Sequence, residues 1–295
     1  MRRINYAFRQ QFNLYFAAMS LYVASLNSGS NGNCYYLGNE QEGILVDAGI
    51  SCREMEKRMR ALAIDIAKLK AIFISHEHTD HISGLPSFIR KLQLPVYITT
   101  ATSRASGFEA GNPLMNPFSA FVPVQVGDIT VTAFPKRHDA IDPHSFVVSC
   151  GKVTVGVFTD IGSPCKNVTS YFKQCHAVFL ETNYDEGLLA NSNYPVFLQK
   201  RISGNHGHLS NEQALQLFIK HRPPFMSHVF LSHLSNENNN PKLVETLFNA
   251  HAGNVAVIHA SRHTHTAVYH ISANEYFSTG TVKKQPPQPL QLALF

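Results

Sequence analysis

The segment that most constrains the fold of this chain is residues 75–84, SHEHTDHISG, which places three histidines and one aspartate within six positions. It follows the apolar run KAIFIS and precedes a short segment, ISGL, that is typical of the beginning of a helix. In such a tight loop His76 and His78 can bind one ion while Asp80 and His81 turn toward a second. Neutral imidazole and carboxylate suit Zn²⁺, Mn²⁺ or Fe²⁺. The chain must therefore fold so that further ligands reach this loop.

Suitable further ligands follow other predicted strands. His138 comes after ITVTAF, Asp160 ends VTVGVFTD, and His233 ends HVFLSH. Because each lies at the C-terminal end of its strand, one edge of the sheets would gather all three, and the Asp160 carboxylate could bridge two ions. Asp47, which ends GILVD, is the candidate for a carboxylate that fixes the tautomer of a metal-binding histidine.

The pattern of apolar residues predicts a chain of many short strands. β-Branched and aromatic runs separated by Gly and Asn predict strands at 21–27, 34–38, 43–47, 70–75, 95–99, 129–134, 145–150, 152–160, 177–182, 228–233, 254–259 and 267–271. Helices are predicted near 51–63, 210–221 and 241–251, the first two with Ser51–Glu54 and Ser210–Gln213 as capping boxes. This order predicts an α+β fold of two sheets with helices outside.

The order of the candidate ligands resembles that of the metallo-β-lactamase fold superfamily over about residues 20–275. The resemblance implies an αβ/βα four-layer sandwich that binds two divalent metal ions, Zn²⁺ or Mn²⁺. It implies that His76, His78 and His138 hold one ion. It implies that Asp80, His81 and His233 hold the other, with Asp160 as the bridge. The fourth ligand motif in this order is Asp160, an Asp and not a Cys. In this respect the chain resembles the phosphodiesterase and glyoxalase branches and not the β-lactamases.

Two later segments, ETNYDEGLL and GHLSNEQAL, bear on the substrate. Similar strings in tRNase Z-like enzymes contain a Glu and a His that deliver a proton, and Glu181 and His208 match that role. With SGSNGN and HLSNENN they resemble most the YycJ/WalJ-type nucleases, bacterial members that act on DNA ends. The resemblance implies Asp80, Glu181 and His208 as catalytic residues, with a hydroxide that bridges the two ions as nucleophile.

The turn NSGSNGN at 27–33 offers hydroxyl and backbone N–H groups to a phosphate. The candidate substrate-binding residues are Ser28, Ser30, Asn31 and Asn33, although the same segment could form only a hairpin turn. The basic pairs at 136–137 and 200–201 could contact a phosphate backbone or could be ordinary solvated surface charge.

Composition narrows the class of protein. The five cysteines are scattered without a Cys-x-x-Cys pair, which argues against a disulfide framework or a zinc ribbon and favours a reducing compartment. No apolar run approaches the roughly 20 residues of a membrane span, so we expect no membrane association and a cytoplasmic location. The net charge of +5 is compatible with a polyanionic substrate but does not demonstrate one.

We expect residues 1–18 to be an N-terminal extension, 19–280 the catalytic domain and 281–295 a Pro/Gln-rich tail. The last five residues, QLALF, resemble the peptide by which bacterial DNA proteins dock on the sliding clamp. Gln291 would hydrogen-bond at the rim of the pocket, while Leu292, Leu294 and Phe295 would fill apolar clefts. The same residues could instead pack on their own domain.

These features favour a dinuclear metal-dependent phosphodiesterase that acts on DNA ends as an exonuclease. The interval from Asp160 to His233 is too short for the inserted domain of ribonuclease J-like enzymes, and the long basic arm of tRNase Z is missing. The alternative enzyme is a small-molecule hydrolase of the same fold: a lactonase, a thioesterase or a cyclic-nucleotide phosphodiesterase. A clamp-associated binding module that has lost turnover is the alternative outside enzymes.

Overall fold

A computed structural model describes residues 20–273 apart from 109 and 110. The expected extension at 1–18 and tail at 281–295 therefore lie outside the described residues, as does the end of the expected catalytic domain.

The first sheet combines the N-terminal strands with one strand from the end of the described range. Its members are β1 (Leu21–Asn27), β2 (Cys34–Gly38), β3 (Gly43–Val46), β4 (Leu69–Phe73), β5 (Val96–Tyr97), β6 (Met115–Asn116) and β14 (Tyr269–Ile271). Their spatial order is β14-β1-β2-β3-β4-β5-β6. Strands β3 to β6 pair in parallel, and the other pairs are antiparallel.

The second sheet also combines antiparallel hairpins with parallel strands. Its members are β7 (Val124–Val126), β8 (Ile129–Pro135), β9 (His144–Cys150), β10 (Val153–Phe158), β11 (Ala177–Glu181), β12 (His228–Ser232) and β13 (Ala256–His259). They lie in the order β13-β12-β11-β10-β9-β8-β7. Strands β7 to β10 form antiparallel hairpins, and β10 to β13 run parallel.

Helices cover the outer faces of both sheets. They are α1 (Cys52–Ala61), α2 (Thr79–Ile82), α3 (Leu85–Leu92), α4 (Thr100–Ala105), α5 (Lys166–Phe172), α6 (Glu186–Ala190), α7 (Val196–Ser203), α8 (Asn211–His221) and α9 (Pro241–Asn249), with a 3₁₀ turn at Ile66–Lys68. The predicted capping box is complete at Ser210 and Gln213. At α1 only half of it forms, because the Glu54 carboxylate accepts from Arg58 at 2.9 Å.

Side chains alternate across each strand, as the two-residue period of a strand requires. In β4, Phe73 packs into the core between the two sheets, while Ile72 packs against α1 and α3. In β12, Phe230 faces the inter-sheet core and Leu231 faces α8 and α9. Three apolar layers thus separate four structural layers, which confirms the predicted α+β αβ/βα sandwich.

Candidate active site

All seven predicted metal ligands come together at one edge of the sandwich. The loop between β4 and α2 carries His76 and His78, and α2 itself carries Asp80 and His81. The other three follow strands of the second sheet, namely His138 after β8, Asp160 after β10 and His233 after β12. Their ring nitrogens and carboxylate oxygens form two neighbouring groups that could each hold a metal ion.

The first group contains only imidazoles. One ring nitrogen of each of His76, His78 and His138 lies within 4.8 Å of the others. His76 Nε2 is 3.1 Å and His138 Nε2 is 3.3 Å from His78 Nδ1. Burial holds the pKa of His76 well below its usual value and lowers the pKa of His138 to about 3. Both rings are therefore neutral, which is the form that binds a metal.

The second group mixes carboxylates with imidazoles: Asp80, His81, Asp160 and His233. His81 Nε2 lies 3.1 Å from Asp160 Oδ2, and His233 Nε2 lies 3.2 Å from Asp80 Oδ2. Burial alone would lower the pKa of both histidines. The neighbouring carboxylates, Asp160 first, instead raise the pKa of His81 well above its usual value and that of His233 to about 10. The group therefore attracts cations, whether protons or metal ions.

The Asp160 carboxylate, a member of the second group, also lies near the first group. It is 1 % exposed, and its Oδ2 atom accepts no hydrogen bond despite the short distance to His81. Its Oδ1 atom is 3.8 Å from His138 Nε2, a member of the first group. A buried carboxylate oxygen without a donor is costly unless a cation satisfies it. Together with the imidazole and carboxylate donors, this geometry fits two divalent ions.

Three residues at this edge of the sandwich have an unusual backbone conformation. Asp47, Asp160 and His233 have φ angles of 63°, 54° and 56°, in the left-handed region. Non-glycine residues rarely adopt it, since it costs about 1–3 kcal/mol per residue. Asp47 and His233 directly follow β3 and β12, and Asp160 lies two residues after β10, at the edge where the two groups of candidate ligands lie. Strain of this kind is typically retained at functional sites.

Asp47 contacts the second group through the His81 ring, on the side away from Asp80 and Asp160. Its Oδ2 atom is 2.7 Å from His81 Nδ1, and its carboxylate also accepts from the backbone N–H and the hydroxyl of Ser75. The contact at Nδ1 leaves Nε2 of His81 facing Asp80 and Asp160. This is the arrangement expected of a carboxylate that fixes a histidine tautomer, and the role itself stays a prediction.

Replacing Asp47 by asparagine is expected to weaken metal binding by about 10–100-fold, because the His81 ring loses the acceptor that orients it. Competition with a chromophoric chelator measures this affinity directly. Asp128, which is exposed in the turn between β7 and β8, provides the matched control D128N. Equal affinities of D47N and D128N for the metal would contradict the assigned role.

Glu181 and His208 form the predicted pair beside the second group. His208 Nδ1 lies 2.7 Å from Oε1 of Glu181, which is fully buried at the end of β11. Glu181 Oε2 accepts from the backbone N–H groups of Ile161 and Leu209. Burial raises the pKa of Glu181, but the His208 and His233 imidazoles outweigh it and lower the pKa to about 2. Glu181 is therefore an ionised anchor for His208, whose side chain is 22 % exposed.

Comparison with known proteins identifies the family. A family model described as the metallo-beta-lactamase superfamily matches residues 28–164. Exodeoxyribonuclease YycJ of Bacillus anthracis is 32% identical over 228 residues, which are 76% of this chain and 86% of that protein. The chain belongs to the metallo-β-lactamase superfamily. As a member it is a metal-dependent hydrolase, and the resemblance predicted from the ligand order is confirmed.

Two further comparisons agree. Exodeoxyribonuclease WalJ of Streptococcus pneumoniae is 30% identical over 219 residues, which are 72% of this chain and 81% of that protein. The crystal structure of YhfI from Bacillus subtilis, also of metallo-β-lactamase fold, superimposes with a TM-score of 0.66. It covers 85% of this chain and 99% of YhfI at 17% identity, so this likeness speaks for the fold alone.

The turn at 27–33 contacts the loops that carry the candidate metal ligands of this superfamily member. Ser28 Oγ accepts from the backbone N–H of His233 at 2.8 Å, and Asn33 Nδ2 donates to Asp80 Oδ2 at 3.1 Å. Ser28 and Asn33 are both buried, so their polar groups point at the ligands and not at a substrate.

Of the other two turn residues, one faces the site and one does not. Ser30 lines the cavity above the metal-binding groups. Asn31 Nδ2 instead donates to the backbone carbonyl of Arg262 at 2.8 Å. A phosphate-binding role therefore stays a prediction for Ser30. Asn31 does not line the cavity.

Lys136 differs from both sequence interpretations of the basic pair at 136–137. It is only 6 % exposed, and its Nζ donates to the backbone carbonyl of Thr159 at 2.8 Å. It is therefore neither a phosphate-backbone contact nor a solvated surface charge. Its ammonium group supports the residue before the strained Asp160.

Sequence reasoning did not predict the wall of the cavity. The cavity measures about 280 Å³ and lies directly above His78, Asp80, Asp160 and His233. Its wall comes from the turn before α7 and from α7 itself. Neither segment carries a recognisable motif, and α7 has no fully buried residue, so no apolar periodicity marked it.

Within the described part of the chain, no helix has the length and apolar character needed to cross a membrane.

Proposed function

We propose that this hydrolase is a dinuclear metal-dependent phosphodiesterase that degrades DNA from an end. The observation that carries the proposal is the pair of Glu181 and His208 beside two metal-binding groups. Support comes from the names of the two relatives, both exodeoxyribonucleases that the chain matches over most of their length. A DNA substrate also fits the expected cytoplasmic location.

The metal ligands are assigned by group. His76, His78 and His138 would hold the first ion, Asp80, His81 and His233 the second, and Asp160 would contact both. Two divalent ions bound there would act as Lewis acids toward a phosphodiester and activate a water molecule. Asp80 takes part in catalysis only as a ligand, since Asn33 and His233 hold its carboxylate within the second group.

His208 is the candidate general acid. Glu181 accepts from its Nδ1, which leaves Nε2 to deliver a proton to the departing alkoxide oxygen. His208 also lines the cavity, so a phosphodiester on the metal ions lies within its reach. General acid catalysis contributes about 10²–10⁴-fold to the rate of such reactions, so loss of His208 should remove most of the activity.

The test is an assay of the purified protein with Mn²⁺ or Zn²⁺ on end-labelled single- and double-stranded DNA. A covalently closed circular DNA is the matched control, because it offers the same phosphodiesters without an end. We expect release of nucleotides from the linear substrates only, loss of activity with a chelator, and recovery when metal is added back. Rapid turnover of lactones or thioesters, with no activity on any nucleic acid, would overturn the proposal in favour of a small-molecule hydrolase.

A second proposal concerns residues 291–295, QLALF, which lie outside the described residues. Their order of Gln, Leu, Leu and Phe is the support for docking on a bacterial DNA sliding clamp, where apolar side chains fill clefts of the partner. Deletion of the five residues is expected to abolish capture by immobilised clamp and leave hydrolysis of naked DNA unchanged. A chain ending in the same five residues in scrambled order is the control, and equal capture of the intact and scrambled chains would contradict the proposal.

A further inference from the structure

The cavity above the metal-binding groups has a polar floor and an apolar wall. Metal-binding side chains form the floor, and Tyr194, Leu198 and Ile202 form the wall. The volume of about 280 Å³ lies just below the range of about 300–1,000 Å³ that is usual for drug-sized ligands. A space of this size matches a single nucleotide unit more closely than a base pair. An apolar wall beside a floor that would bind a phosphodiester suits a single nucleobase.

The turn before α7 holds Tyr194 in place. Its backbone N–H donates to Ser192 Oγ at 3.3 Å, and its carbonyl accepts from Gln199 Nε2 at 2.9 Å. The Tyr194 side chain is partly exposed, and no other aromatic ring of the described residues stacks on it. Because Tyr194 also lines the cavity, its ring can contact a ligand there, and the ordered backbone of the turn limits the cost in conformational entropy.

The wall is joined to the candidate general acid through the backbone. His208 donates its N–H to the Ile202 carbonyl at 2.8 Å, and His138 Nδ1 lies 3.0 Å from the Gly207 carbonyl. At Gly207 a Cβ atom would overlap the carbonyl oxygens of Arg201 and Ile202, so only glycine permits this approach. The distance from the wall to the candidate general acid is therefore fixed by the fold.

An ion pair at the rim removes an obstacle to an anionic substrate. Asp139 lines the cavity and is the lining carboxylate that belongs to neither metal-binding group. Arg201 Nε donates to its Oδ2 atom at 2.6 Å. The guanidinium thus offsets a negative charge that would otherwise repel a phosphate.

We infer that Tyr194 is the stacking platform for the terminal base of the DNA, and that this base must be unpaired to enter. This role rests on the proposed function, because it requires a nucleic-acid substrate. Stacking on an aromatic ring tolerates every base, since each has a π-face, so the wall selects an unpaired end and not a sequence. The enzyme would accordingly prefer single-stranded and frayed ends to blunt duplex ends.

The test combines a Tyr194 variant with removal of the terminal base. Oligonucleotides ending in a normal or an abasic nucleotide are digested by the wild type, by Tyr194→Ala and by Tyr194→Phe. We expect base removal to lower kcat/KM by about 5- to 150-fold for the wild type and Tyr194→Phe, and to have little effect for Tyr194→Ala. Phe225→Ala is the matched control, because it removes a partly exposed ring that lies outside the cavity, tilted by 36° against the His176 ring.

Each outcome separates the stacking role from the proposed function. An active nuclease in which base removal costs Tyr194→Ala as much as the wild type would overturn the stacking role and leave the function standing. Equal rates on blunt ends and on mispaired ends would overturn the requirement for an unpaired base. If Tyr194→Ala does not fold, Tyr194→Leu keeps the apolar volume without the ring and carries the same comparison with Tyr194→Phe. A wild-type protein inactive on all nucleic acids would instead refute the function itself.

Discussion

Replacing His208 by alanine is expected to lower kcat by about 10²–10⁴-fold while both metal ions remain bound. The two metal-binding groups assigned here do not use His208, whose Nδ1 is engaged by Glu181 at 2.7 Å. Removing the ring therefore removes the proton donor and leaves the ions in place. Steady-state kinetics on end-labelled DNA, with the metal content measured by mass spectrometry, checks both halves of the expectation.

His206→Ala is the matched control for this substitution. His206 lies two residues earlier in the same loop, is exposed, and does not line the cavity, so its loss should leave kcat unchanged. The structure also allows His208 to be a metal ligand. Donor atoms of Asp160, Glu181, His208 and His233 lie within 4.8 Å of one another and could themselves hold an ion. Loss of metal from His208→Ala would mean that His208 is a ligand and not the general acid.

Asp160→Asn is expected to lower activity by about a thousandfold or more and to reduce the bound metal below two ions per chain. A carboxylate can place one oxygen on each ion and neutralise part of their charge, whereas an amide offers a single neutral oxygen. The electrostatic contribution of a catalytic metal is several kcal/mol, and each 1.36 kcal/mol is tenfold in rate. Metal analysis and kinetics on the same preparation measure the two effects together.

Asparagine is the right replacement because of the backbone. Asp160 has a φ angle of 54°, and Asn tolerates the left-handed region better than most residues, so the fold should survive the change. Asp142→Asn is the control, since Asp142 lies in the nearby loop that follows β8 and its side chain is 42 % exposed. If Asp160→Asn retained two ions and full activity, the bridging role would be wrong.

The sequence predicted the placement of the candidate ligands well where they follow strands. The strand at 70–75 forms as β4 at Leu69–Phe73, and the strands at 177–182 and 228–233 form with nearly the predicted limits. Alternating apolar residues determine such central strands locally, because one face must be buried. Glu181 ends one of those strands and His233 directly follows another, so predicting the strands placed both side chains at one edge.

Other parts of the site depend on tertiary contacts that a local pattern does not contain. Nothing in the sequence distinguishes the left-handed turn at Asp47 from an ordinary strand end, because packing at the shared edge selects it. The predicted strand at 95–99 shortens to Val96–Tyr97, since a short partner strand, β6, limits its pairing. Tyr194 belongs to a partly exposed turn, so no burial pattern marked it.

The ligands come from both sheets, and this has a consequence for how the protein holds together. The loop of His76 to His81 belongs to the first sheet, while His138, Asp160 and His233 belong to the second. Bound ions would therefore act as cross-links between distant parts of the chain. At a free concentration of 100 times its dissociation constant, an ion that binds only the folded state adds about 2.7 kcal/mol to the free energy of unfolding. Calorimetry should show the metal-free protein melting at a lower temperature, so that metal supply would govern the protein's lifetime as well as its activity.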